Sequence, residues 1–180
     1  MLFLVIISLV ILQRITEVII AKRNEKKMLA QGAYEVGASH YPFMLALHFS
    51  FFIFLIVEVL FFDREISPLF PLFFLIFLFV QAFRIWCLTT LGQFWNTKII
   101  ILPNANIVRK GPYLYLKHPN YVVVCMEIVL LPLMFQAYFT AICFTLLNLA
   151  MLSVRIPMEE KALSEATDYH KEFKKKISAS

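Results

Sequence analysis

Residues 121–154 read YVVVCMEIVLLPLMFQAYFTAICFTLLNLAMLSV, 34 residues whose only charge is Glu127. A membrane-crossing helix needs roughly 20 apolar residues, so this stretch is too long for one ordinary span. Pro132 and Gln136 sit near its middle, and a proline removes a backbone donor and kinks or ends a helix. The stretch therefore predicts two short helices joined by a tight turn, a helical hairpin embedded in lipid.

Upstream lie three more apolar runs, from about Leu2 to Ile20, Tyr41 to Phe62 and Pro68 to Leu91. With the hairpin they predict an all-α integral membrane protein of five transmembrane helices. The expected organisation is a single membrane domain over 1–180, with three N-terminal spans in 1–91 and a polar loop, the hairpin and an amphipathic tail in 92–180. Composition agrees: 61% of the 180 residues are hydrophobic and 16% are charged, where a soluble domain carries about 25% charged residues. The mean hydropathy is +0.76. Cys87, Cys125 and Cys143 lie in or beside apolar runs without a Cys-x-x-Cys pair, so they read as small hydrophobes, not as disulfide or zinc ligands. The first positive charges follow the first apolar run, so that run is expected to be a retained span.

The net charge is +5, and its distribution points to a membrane and not to nucleic acid. Lys22, Arg23, Lys26 and Lys27 follow the first span, and Lys98, Arg109, Lys110 and Lys117 follow the third. Arg155, Lys161, Lys171, Lys174, Lys175 and Lys176 lie in the tail, while Arg64 alone falls between spans two and three. Basic residues concentrate on the cytoplasmic side. All three basic segments share one side only if there are five spans, with the N-terminus outside and the tail cytoplasmic. A multi-pass protein of a bacterial plasma membrane is the expectation.

Polar residues within the spans carry a second set of expectations. Arg14 and Glu17, three apart, can pair on one helical face. Ionisable groups at depth pair with one another or face a cavity. On that ground Arg84 and Glu127 are candidates for an internal ion pair that orders the bundle, with Gln81 nearby. His48 is a further intramembrane group, and Glu58 lies far enough along its span to reach water.

Two polar stretches can carry chemistry. The segment Asn106–Tyr121 holds two prolines, a glycine, three tyrosines and a histidine. Gly111-Pro112 is a turn signal. Pro119 disfavours helix at His118 and suits the first turn of the next helix, whose free N–H groups attract anions. The same residues also suit an interfacial tyrosine belt with a proline-capped helix. Arg155 and Glu159 would share a helical face, although Pro157 between them weakens that spacing argument, and a surface ion pair is the plainer alternative. The chain has no Gly-x-Gly-x-x-Gly loop, no Asp-rich magnesium motif and no metal-ligand spacing, so no metal is expected.

Gly111-Pro112-Tyr113, His118-Pro119-Asn120-Tyr121 and the downstream Arg155, Glu159 and Glu160 resemble the isoprenylcysteine carboxyl methyltransferase family, as does Leu91-Gly92-Gln93-Phe94-Trp95. The motifs cover about Arg84 to Lys174. The resemblance implies an S-adenosylmethionine-dependent O-methyltransferase acting on a lipophilic small-molecule or prenylated acceptor. It implies a cytoplasmic cofactor site built from Ala105, Asn106, Ile107, Val108, Tyr113, His118, Pro119, Asn120, Tyr121 and Glu159. Arg155 and Glu159 would be the catalytic pair, Arg155 facing the acceptor's anionic oxygen. Lys117 stands where the family usually has arginine, and Val122-Val123 where a glycine is common. Three rivals remain at this stage: methylation of a phenolic or enolic lipid such as an alkylpyrone, an NADPH-dependent reductase of the sterol reductase type, and a non-enzymatic membrane subunit.

Overall fold

A computed structural model describes residues 1–168 of the protein. Lys171, Lys174, Lys175 and Lys176 of the predicted tail lie outside the described residues. Five α-helices carry the architecture: α1 (Leu2–Ala30), α2 (Tyr41–Phe61), α3 (Phe70–Leu91), α4 (Pro119–Leu133) and α5 (Tyr138–Ala166). Two short strands, β1 (Tyr34–Val36) and β2 (Ile99–Ile101), pair antiparallel with Glu35 opposite Ile100. Helices α1, α2, α3 and α5 are long and apolar enough to cross a membrane, and α4 is shorter at 15 residues. In the most apolar window of each long helix only 22–28% of residues are buried within the protein. The apolar remainder suits a lipid environment. This is an all-helical integral membrane architecture with one small ribbon.

The chain forms two compact units. Among the described residues, one comprises Met1–Ala38, Leu91–Val108 and 156–168, and the other Ser39–Thr90 and Arg109–Arg155. Helix α5 contributes to both.

In the first unit, α1 does not stop at Ile20 but runs through the basic stretch to Ala30. Lys, Arg, Glu, Met, Leu and Ala are all good helix formers, and nothing breaks the helix before Gly32. There the Ala33 N–H reaches the Met28 carbonyl (3.0 Å) and the Gly32 N–H reaches the Leu29 carbonyl (3.1 Å). With Gly32 at φ +90°, this is a Schellman ending. The inner face of the extension buries Ala21, Asn24 and Met28. Asn24 Nδ2 donates to the carbonyls of Gly92 (2.9 Å) and Trp95 (2.8 Å), which fixes the 3₁₀ turn Gly92–Phe94. Lys98 Nζ bonds Glu25 and Glu35 at 2.9 Å each, tying β2 to α1 and to β1. Ile99 and Ile101 bury their side chains against Ala162, with Met158, Leu163 and Ala166 packed around them. The predicted separate tail is thus, up to Ala166, the end of α5, held in place by an apolar strand.

In the second unit the predicted hairpin is present, with α4 as its short arm, the turn at Met134–Ala137, and an α5 arm much longer than expected. Gln136 takes the left-handed conformation (φ +52°), and the Ala137 N–H returns to the Pro132 carbonyl at 3.0 Å. The Ser67 N–H bonds the Met134 carbonyl at 3.0 Å and pins the turn. Arg84 and Glu127 form the expected ion pair, with Gln81 Nε2 on the second carboxylate oxygen at 2.7 Å. Glu58 departs from expectation. It is buried, and its carboxylate accepts the Phe139 N–H (3.2 Å), the Thr140 N–H (2.7 Å), the Thr140 hydroxyl (2.6 Å) and Arg64 (3.0 Å). It caps the first turn of α5, where an anion meets unsatisfied N–H groups and the positive end of the helix dipole.

Candidate functional site

The start of α4 is built by three consecutive local devices. Gly111 lies at φ +55°, and a Cβ there would stand 2.9 Å from Thr90 Oγ1 and 3.0 Å from Trp86 Nε1. Only glycine allows both the left-handed backbone and the close approach to α3. Pro112 then opens the 3₁₀ turn Gly111–Leu114, which buries Pro112 and Tyr113. Pro119 opens α4 itself, with His118 outside the helix at φ −129°, as the proline's restriction on its predecessor requires. The His118 carbonyl accepts the Tyr121 N–H at 3.1 Å, and the two rings lie tilted at 5.3 Å between centroids.

Arg155 of α5 points to this same place. Its Nε donates to the Tyr121 hydroxyl at 2.8 Å, its Nη1 lies 3.1 Å from Met44 Sδ in the first turn of α2, and its Cζ is 5.9 Å from the Tyr121 ring centroid. Asn120 Oδ1 is buried without a hydrogen-bond partner among the described residues. One residue past Tyr121 begins an apolar groove of about 230 Å³ between α3 and α4. It is lined by Ile76, Phe79, Val80 and Phe83 on one side and Val122, Val123 and Met126 on the other. The two valines that replace the common glycine are thus walls of this groove.

The other predicted site residues belong to the first unit. The Asn104 N–H bonds the Ala166 carbonyl at 2.9 Å and the Ala105 N–H bonds the Leu102 carbonyl at 3.3 Å. The first bond holds the residue before the Ala105–Val108 segment against the end of α5, and the second closes a local turn. Asn106 is exposed and its three neighbours are half-buried. Glu159 is half-buried on α5, beside the Met158 and Ala162 that pack on β2. Pro157 stands inside α5 without ending it, so Arg155 and Glu159 are one turn apart on a continuous helix. Among the described residues no group of three or more His, Cys, Asp or Glu side chains is arranged to hold a metal ion.

The structure therefore gathers His118, Asn120, Tyr121 and Arg155 at one point, and the Ala105–Val108 segment with Glu159 in the other unit. Met44 escaped the sequence reading because a methionine in an apolar run carries no signal of its own. Asn24 and Lys98, which position the segment leading to Ala105, were equally silent, their partners lying 63 to 73 residues away.

Residues 72–165 match the model of the isoprenylcysteine carboxyl methyltransferase family, more than half of the chain. The chain belongs to that family. The isoprenylcysteine carboxyl methyltransferase match takes in all but the first two residues of α3, then β2, α4 and all but the last residue of α5, and so contains His118, Asn120, Tyr121, Arg155, the Ala105–Val108 segment and Glu159, but neither Met44 nor Asn24. Among relatives, the Bacillus subtilis (strain 168) protein YpbQ is 46% identical over 163 residues, covering 91% of this chain and 97% of its own. A Haemophilus influenzae protein is 31% identical over 146 residues, covering 81% and 85%. No solved structure matches the chain. Family membership implies a membrane methyltransferase.

Proposed function

We propose that the protein is an S-adenosylmethionine-dependent O-methyltransferase acting on a lipophilic acceptor at the membrane, in the manner the family name describes for prenylated cysteine. The observation that carries this reading is the Arg155–Tyr121 hydrogen bond (2.8 Å). It sets a guanidinium at the proline-capped start of α4, on the tyrosine whose ring lies against His118, and the next residue of that helix, Val122, lines a groove suited to a greasy chain.

The residues suit the cofactor. In the second unit the α4 N-terminus offers N–H groups to its carboxylate; the carboxylate that Glu159 of the first unit would offer to its ammonium group rests on the family resemblance alone. The buried Asn120 Oδ1 offers an acceptor to its nucleoside, and the backbone of Ala105, Asn106, Ile107 and Val108 is assigned to the same role from the family resemblance alone. Tyr113 and Tyr121 present aromatic faces, which attract cations. When bound, S-adenosylmethionine supplies an electrophilic methyl group on a sulfonium sulfur. A carboxylate acceptor is ionised near neutral pH, so the protein need not remove a proton. Arg155 pairs with the acceptor oxygen and holds it in line, and alignment of two reactants is itself a large source of rate. The α3–α4 groove takes the acceptor's apolar chain directly from the bilayer.

The proposed topology has the N-terminus outside, the tail cytoplasmic, and α4 and α5 as the fourth and fifth crossings of a bacterial plasma membrane. At 15 residues α4 measures about 22 Å, less than the hydrocarbon core of about 30 Å, so one of its ends lies within the membrane or the bilayer thins around it. The test is to incubate the purified protein with methyl-labelled S-adenosylmethionine and a host lipid extract and to identify the labelled species. A labelled methyl ester or ether on a lipid supports the reading. No label, together with thermal stabilisation by NADPH and none by S-adenosylhomocysteine, would overturn it.

A further inference from the structure

We propose that the Tyr121 hydroxyl, seconded by the Met44 thioether, is a positioning device for Arg155, and that this hydroxyl, as distinct from the ring face offered to the cofactor, acts on turnover through the arginine. The inference rests on the methyltransferase reading above and assigns work within that site. Arg155 is a long, flexible side chain, half-buried on α5. A guanidinium is planar, so two hydrogen bonds from two of its nitrogens set its position and its plane together. Both are present: Nε to Tyr121 Oη at 2.8 Å and Nη1 to Met44 Sδ at 3.1 Å. They come from the first turns of α4 and α2, so three helices meet on one cation. A phenol and a thioether are uncharged, so these two bonds orient the guanidinium and add no charge of their own. The Tyr121 ring centroid is 5.9 Å from Cζ, near the limit for a useful cation–π contact. Of these contacts the hydroxyl bond is the strongest.

The distinguishing variant is Tyr121→Phe, which keeps the aromatic face and removes only the hydroxyl. The full-length protein is assayed with labelled S-adenosylmethionine against serial dilutions of host lipid extract, alone and combined with Arg155→Ala. The expected result is a loss of about tenfold in turnover at saturating cofactor, the size of a hydrogen bond to a charged group. The KM for S-adenosylmethionine and the stabilisation by S-adenosylhomocysteine should stay unchanged. In the Arg155→Ala background Tyr121→Phe should cost nothing further, because two groups acting as one unit are not additive. Met44→Leu should give a smaller loss of the same kind. A raised cofactor KM in Tyr121→Phe, an equal loss in both backgrounds, or wild-type turnover would each overturn the inference while leaving the methyltransferase reading in place. Absence of transfer by the wild-type protein itself would instead remove the reading.

Discussion

Arg155 is the residue on which the proposed site turns, because it joins the start of α4 to the middle of α5 through a hydrogen bond to Tyr121. Under the proposed function, Arg155→Ala and Glu159→Ala each remove most methyl transfer while the protein remains inserted. Labelled-methyl assays on membranes, with the inserted amount measured by blotting, check this, and wild-type rates in both variants would refute the roles. Gly111 acts on the same region by shape. Gly111→Ala forces a Cβ to within 2.9 Å of Thr90 Oγ1 in a left-handed backbone, and strain plus overpacking of this kind costs about 1–3 kcal/mol. A lowered thermal midpoint in detergent is the expected outcome, and an unchanged one would mean that α3 yields freely. Glu58 shows the opposite case, an isolated acid in an apolar run whose value lies entirely in four partners, three of them on α5.

At the scale of elements, pairs of charges decide how neighbouring segments are held. The Arg84–Glu127 pair joins α3 to α4 inside the apolar layer. Removing one member of a buried pair strands the other, at about 3–5 kcal/mol, whereas replacing both by apolar groups is often close to neutral. Arg84→Ala should therefore lower the unfolding midpoint sharply, and Arg84→Met with Glu127→Leu should recover most of it. Equal loss in both would argue that the pair does more than hold helices together. The Lys98 clip works outside the membrane. Its hydrogen bonds to Glu25 and then Glu35 push the ammonium's pKa well above the ordinary lysine value. A raised pKa means that the folded state favours the charged form. The clip's contribution is then complete below the ordinary lysine value and lost only as pH rises through the raised one. Proteolysis in the connection between α1 and α2 should stay flat from neutral pH to about pH 10, and should already be faster at neutral pH in Lys98→Met.

For the whole molecule the governing fact is solvent. Phe43, Phe49, Phe61, Phe79 and Ile142 are all more than 60% exposed, an apolar surface suited to lipid and not to water. The proposed topology follows from charge placement, and reporter fusions test it. A cytoplasm-dependent reporter fused at the C-terminus should be active, and one inserted in the turn Asp63–Glu65 inactive. The reverse pattern would move the proposed cofactor site to the wrong side of the membrane.

Much of this was legible in the chain because it is written in contiguous residues. Apolar length and its interruption at Pro132 and Gln136 specify a hairpin without reference to any other segment, and Pro119 specifies where α4 begins. An ionisable group at membrane depth must find a partner, which is why Arg84 and Glu127 could be paired from sequence. Other features needed the folded chain. The continuation of α1 to Ala30 and of α5 to Ala166 depends on the faces they bury. The β1–β2 ribbon depends on two three-residue segments too short to signal themselves. The Glu58 cap and the Arg155–Met44 contact join residues 82 and 111 positions apart. Local backbone preferences and the length of an apolar run are properties of neighbours along the chain, so sequence determines them. Which polar atom satisfies which is settled only when helices distant in sequence are packed side by side.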